Sequence, residues 1–181
     1  KGFIVLSGEV GTGKTTLLNK LLTWLRGYRA ATAFVFNSSL TVSEFLDFTM
    51  ADFGIACDSQ MKSQVLLRLN RWLLERYRAG EAVVLIVDEA QNLTARAVEE
   101  LRMLSNFQYG SQALLQSFLV GQPEFREILQ SPQMMQFRQR VIAACHIGPL
   151  DVEETRGYID HRLKTAGATA DSLVIQSPAY A

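Results

Sequence analysis

The sequence has few cysteines, few prolines and no excess of charge of either sign. Two cysteines in 181 residues, Cys57 and Cys145, share no CxxC spacing and offer no second pair. A disulfide framework and a cysteine-held metal site are both excluded, and reduced thiols buried as small hydrophobes are expected. Four prolines and no biased tract leave no room for a proline-rich linker or a low-complexity arm. Eighteen basic residues balance eighteen acidic ones, so the chain advertises itself neither to nucleic acid nor to an anionic lipid surface. No apolar run approaches the roughly 20 residues of a membrane span, and no signal peptide opens the chain. A strand-like segment begins directly after Lys1 and Gly2, and the chain is expected to be a piece of a longer protein.

What is present is an ordinary globular composition, with 48% hydrophobic and 20% charged residues. That suits one α/β domain and the start of a smaller one. Short apolar runs at Phe3–Ser7, Thr32–Asn37, Ala82–Val87, Ala113–Val120 and Val141–Ile147 read as strands. Between them lie segments of helical period: 14–28, 41–53, 61–79 and 94–107, with a further helix opened by Pro123. Val65, Leu66, Leu69, Trp72, Leu73 and Tyr77 form the apolar stripe of the third. Thr41 with Glu44 forms a capping-box pattern, and Asp151 starts a last helix that runs through Lys164. The ten phenylalanines fall on apolar faces and are expected in the core. Strands alternating with helices predict a parallel sheet covered on both faces. The Gly148–Pro149 break divides a core of residues 1–149 from the beginning of a helical lid, 150–181.

Residues 8–15 read GEVGTGKT, which fits GxxxxGK[ST] without a mismatch. Glycines at 8, 11 and 13 free the backbone so that loop amides converge on phosphate oxygens at the positive end of the following helix. The expected nucleotide contacts are Gly8, Glu9, Val10, Gly11, Thr12, Gly13, Lys14, Thr15 and Thr16. Lys14 supplies an ammonium to the β- and γ-phosphates of ATP, and the Thr15 hydroxyl a ligand to Mg²⁺. The strand VVLIV ends in Asp88 and Glu89. Asp88 at the carboxyl edge of a parallel sheet is placed to hold the Mg²⁺ shell, and Glu89 to polarise an attacking water. Gln122 closes the next strand and is either a γ-phosphate contact or a turn residue before Pro123. Arg138 and Arg140 either reach a neighbouring subunit's nucleotide or form a solvated pair at a helix end. Gln91 and Asn92 either relay nucleotide state to the next helix or simply precede its Thr94 cap. Arg68, Arg71 and Arg78 share one helix face with Glu75 among them, and form either a partner or nucleic-acid stripe or a solvated face. His146 and His161 have no partners at metal-ligand spacing.

The stretches GEVGTGKTTLL, DEAQNL (88–93), LLQSFLVGQPEF (114–125), FRQRV (137–141) and GPLDVEETRGYIDHRL (148–163) together resemble AAA+ ATPases of the general secretion pathway A (ExeA-like) kind. Those that accompany exosortase and exopolysaccharide systems belong to the same group. The resemblance implies a five-stranded parallel sheet of order 5-1-4-3-2 in an α/β/α sandwich, a helical lid, and assembly into a ring or other homo-oligomer. It implies Mg²⁺-dependent hydrolysis of ATP to ADP and phosphate, with Gln122 as the sensor residue. Arg140, or Arg138 in its place, becomes the arginine presented in trans. The lid arginine of the GxPR pattern has no counterpart in these residues. It implies also a secretion or membrane-complex partner, and a cytoplasmic location with the parent protein anchored at the inner membrane. Two further readings stand beside it: a DNA-associated ATPase of the transposition-helper type, and an ATP-gated scaffold that does not hydrolyse.

Overall fold

A computed structural model describes residues 2–36, 40–56 and 61–167. The chain divides into two compact units, the first ending at Ile147 and the second beginning at Gly148. The first unit holds strands β1 (Phe3–Gly8), β2 (Ala30–Val35) and β3 (Ala82–Val87), a short hairpin of β4 (Gln108–Tyr109) and β5 (Gln112–Ala113), then β6 (Gln116–Gly121) and β7 (Val141–Ile147). Its helices are α1 (Lys14–Arg26), α2 (Val42–Asp52), α3 (Lys62–Arg78), α4 (Ala95–Leu104), α5 (Pro123–Gln130) and α6 (Met135–Arg138). The main sheet runs β2-β3-β6-β1-β7 with every pairing parallel. With the hairpin set aside, that is the 5-1-4-3-2 order expected from the resemblance.

Alternate residues of each strand face two cores of unequal size. Phe3 and Val5 of β1, Ala33 and Val35 of β2, and Val83, Leu85 and Val87 of β3 enter the larger one, with Phe45, Leu69, Leu101 and Phe125 from the helices. Leu6, Ile86 and Val120 face the smaller, which α1 closes with Leu18 and Leu25. Both faces are therefore covered, which is what near-continuous apolar strands such as AVVLIV require. At α2 the Thr41–Glu44 capping box is complete, a feature that stabilises a helix start by about 1 kcal/mol. Thr94 Oγ1 accepts from the Ala97 amide at 3.1 Å to start α4. In the second unit α7 (Val152–Thr165) opens with its own capping box, Asp151 with Glu154.

Four expectations are corrected. The run from Ala113 to Val120 is not one strand: Ala113 pairs back onto Gln108 in the hairpin, and β6 starts only at Gln116. Leu114 and Leu115 are buried without belonging to the sheet, so hydrophobicity alone joined two elements. Phe36 is 61% exposed and stacks edge-on against Phe48 beyond the end of β2, so not every phenylalanine is core. Tyr77 is exposed at the end of the α3 stripe, where it meets Tyr109 of the hairpin. Cys145 is exposed, because β7 is an edge strand with its central residues open to solvent. Cys57 and Asn37 lie outside the described residues.

Candidate nucleotide site

The loop between β1 and α1 takes its shape from two kinds of glycine. Gly11 and Gly13 have φ of 84° and 88°, the left-handed region that side chains disfavour. Nothing lies within 4 Å of a Cβ built on either, so the demand there is purely conformational. Gly8 is the reverse. A Cβ there would stand 2.8 Å from the Ile147 carbonyl oxygen and 2.8 Å from Thr12 Oγ1, so this position needs space. Thr12 Oγ1 donates to the Glu9 carbonyl at 2.9 Å and tightens the loop.

Helix α1 begins under this loop with Gly13 as its cap, no side-chain cap and no acidic residue in its first turn. Among the described residues no side chain caps its first amides, and a helix end of this kind, with free N–H groups and the positive dipole end, favours an anion. Lys14 is buried, and its Nζ donates to the Gly8 carbonyl at 2.6 Å and the Glu9 carbonyl at 2.7 Å. Glu9, Val10, Thr15 and Thr16 are exposed.

Sheet register carries the acidic pair to the same edge. Ser7 lies beside Gly121 of β6, and Val87 of β3 beside Leu119. The chain then turns out of β3 at Asp88. β3 and β1 are separated by β6 alone, about 10 Å at ordinary strand spacing. Asp88 Oδ1 accepts from the Glu89 amide at 2.9 Å. Burial raises the Asp88 carboxyl above its ordinary value. The Glu89 amide opposes that rise, the neighbouring Glu89 charge adds to it, and the Lys14 ammonium opposes it.

Glu89 is the one non-glycine residue with positive φ among the described residues, at φ 51° and ψ 41°. Gln122 caps α5, followed by Pro123 in the first turn, and its Nε2 donates to Glu89 Oε2 at 3.3 Å. Gln91 Nε2 donates to the same carboxylate oxygen. One sheet edge therefore collects Gly8–Thr15, Asp88, Glu89 and Gln122.

The arginines lie elsewhere. Phe3 N–H donates to the Arg140 carbonyl at 2.8 Å, which puts Arg140 at the opposite, amino-terminal edge. Six residues of β1 separate it from the loop, about 20 Å at 3.3 Å per residue. It cannot touch a nucleotide held by its own Lys14. Its Nη1 donates to Ser105 Oγ at 2.8 Å. Arg138 Nη1 instead donates to the Leu129 and Gln130 carbonyls at 3.3 and 3.1 Å, at the end of α5. His146 Nδ1 lies 3.0 Å from Ser7 Oγ, a contact the sequence does not announce. No cluster of three or more metal-ligating side chains exists among the described residues. One carboxylate and one hydroxyl beside a phosphate cradle nevertheless suit Mg²⁺, which keeps several waters and takes few protein ligands.

A family model described as an AAA domain matches residues 1–129. The chain belongs to the AAA domain family. The matched span holds the P-loop, Asp88, Glu89 and Gln122 of this AAA domain. It is 38% identical over 167 residues to the general secretion pathway protein A of Aeromonas hydrophila, covering 92% of the chain and 30% of that protein. It is also 29% identical over 94 residues to the ATP-dependent DNA helicase Pif1 of a Psychrobacter species, covering 51% of the chain and 14% of that protein. The chain thus spans less than a third of either relative. Among solved structures, the ADP form of the Aeropyrum pernix ORC2 protein matches 98% of the chain and 49% of its own length, at TM-score 0.68 and 16% identity. No described helix is long and apolar enough to cross a membrane.

Proposed function

We propose that this AAA domain binds ATP with Mg²⁺ and hydrolyses it to ADP and phosphate as the motor of an oligomeric secretion or envelope-assembly machine. The observation that carries the reading is the meeting of Lys14, Asp88, Glu89 and Gln122 at one sheet edge. In it the α1 amides and Lys14 hold the phosphate tail, and Thr15 with Asp88 holds the metal. Bound Mg²⁺ would neutralise charge on the β- and γ-phosphates. Glu89 orients a water and accepts its proton as the water oxygen bonds to the γ-phosphorus and the bridging bond to ADP breaks. Gln122 shares the carboxylate and senses the γ-phosphate. Arg140, about 20 Å from its own loop, acts on a neighbouring subunit's nucleotide.

The secretion assignment follows the 38% identity to the Aeromonas protein. The zero net charge weighs against the DNA-associated reading. The proposed setting is the cytoplasmic side of the inner membrane, with a membrane-complex partner. Glu89→Gln should keep ATP affinity within about threefold and slow turnover by about 10²–10⁴, the worth of a general base. Phosphate release at several protein concentrations, alongside titration with a fluorescent ATP analogue, reads both. Undiminished turnover in the variant would sink the base assignment. Tight binding with no release from the native protein at any concentration selects the non-hydrolysing scaffold.

A further inference from the structure

One side chain at this edge bridges two elements without belonging to the proposed chemistry. Gln91 sits half-buried in the short 3-10 helix Ala90–Asn92 that follows Glu89. Its Nε2 donates to Glu89 Oε2, and its Oε1 accepts from the Gln122 backbone amide at 3.0 Å. These partners fix the amide's orientation. A carboxylate only accepts and a backbone N–H only donates, so the flipped amide would make neither bond. Room for the bridge comes from Gly121, where an added Cβ would stand 3.0 Å from Gln91 Oε1 and 3.1 Å from Phe125 Cβ. The residue it grips needs holding. A left-handed backbone costs a side-chain-bearing residue about 1–2 kcal/mol and persists only where its surroundings impose it.

We propose that Gln91 is a positioning residue that fixes the Glu89 carboxylate to the junction of β6 and α5, so that movement of Gln122 moves the base. The role rests on the hydrolytic reading of Glu89. Because Gln122 is linked to the carboxylate by its own side chain and, through Gln91, by its backbone, two paths from one residue bear on the same oxygen. Neither bond touches the phosphate loop, so binding and chemistry should separate when the bridge is cut.

The test is single-turnover hydrolysis with the full-length protein. Gln91→Ala and Gln91→Met should each lower the hydrolysis rate by about 10–100-fold, the cost of a misplaced reacting group, while ATP affinity stays within about twofold. Gln91→Glu keeps an acceptor for the Gln122 amide but faces Glu89 with a second carboxylate, and should be at least as slow. In a Glu89→Gln background, Gln91→Ala should cost nothing further, because the carboxylate it places is gone. A merely structural glutamine would instead lower affinity and melting temperature together and add its loss to that background. Gly121→Ala, which crowds Gln91 Oε1 and leaves both amides in place, carries the same test if Gln91→Ala does not fold. Native rates in Gln91→Ala, Gln91→Met and Gly121→Ala beside a dead Glu89→Gln would overturn the positioning role and leave the hydrolytic reading intact. An active Glu89→Gln would remove both.

Discussion

At the carboxyl ends of β1, β3 and β6 the chain gathers a glycine loop, a buried lysine and two acids. At the amino end of the same sheet it places one arginine beside amides and a hydroxyl. Arg140 shares with Ser105, Asn106, Gln136 and Gln139 a cleft of about 390 Å³ whose lining contains no carboxylate. The first edge has charge of both signs, opposed and hydrogen-bonded within the chain. The second has a cation that donates to a hydroxyl and whose charge also acts on the Glu99 carboxylate. Approach of the chain is tight here as well, since a Cβ on Gly2 would stand 1.8 Å from the Arg140 carbonyl oxygen. A sheet about 20 Å deep keeps the two edges apart in one molecule. Only a second copy of the chain could present one to the other.

The comparison breaks most decisively at Arg140. If its guanidinium serves a neighbour's nucleotide, Arg140→Ala should cut turnover of the assembled protein by about 10³–10⁵. Mixing that variant with Glu89→Gln should restore part of the activity, because some mixed interfaces pair an intact base with an intact arginine. Steady-state phosphate release across mixing ratios measures both effects, and absence of rescue among assembled subunits counts against the trans role. Arg138→Ala is the control. Its bonds to the Leu129 and Gln130 carbonyls close the end of α5, so the expected loss is about 1 kcal/mol of stability, not turnover.

A smaller effect tests the crowding at the carboxyl edge. Gly8→Ala meets a carbonyl and a hydroxyl at 2.8 Å and should cost about 1–3 kcal/mol in thermal unfolding. Gly11→Ala meets open space and an unfavourable φ, and should cost less.

The smallest effect concerns Asp88. Its carboxyl is raised by burial, so the folded state holds that proton more tightly than the unfolded chain does. Ionisation therefore opposes folding once pH exceeds the ordinary carboxylate value, and the penalty grows as pH rises toward the raised one. Asp88→Asn should melt slightly higher than the native protein at pH 7 without nucleotide, and the gain should vanish as pH falls through the carboxylate range. With Mg²⁺ and ATP the order should reverse. Melting curves at pH 4 and 7, with and without ligand, decide it.

Much of this was legible from sequence for identifiable reasons. The short, β-branched run AVVLIV reads as a buried strand, and β3 occupies those residues. The caps at Thr41, Thr94 and Asp151 are local chemistry, which a sequence displays directly. The loop spacing brought Gly8–Thr15 together, and parallel register carried Asp88 and Gln122 to the same edge. What escaped was set by tertiary partners. The turn at Gly110, with φ 57°, folds Ala113 back onto Gln108 although its apolar neighbours read as strand. Nothing local reveals that Arg138 is spent on α5 while Arg140 faces a cleft. Gln91 was open to two readings because its two bonds depend on β3 and β6 being neighbours, a fact of topology.

The Lys14 ammonium has one further consequence. Its Nζ is seated against the Gly8 and Glu9 carbonyls at 2.6 and 2.7 Å, so the loop between β1 and α1 is wrapped around this cation. Loss of this lysine thus removes a mould as well as a charge, and no salt or soluble amine added to the medium can recast it.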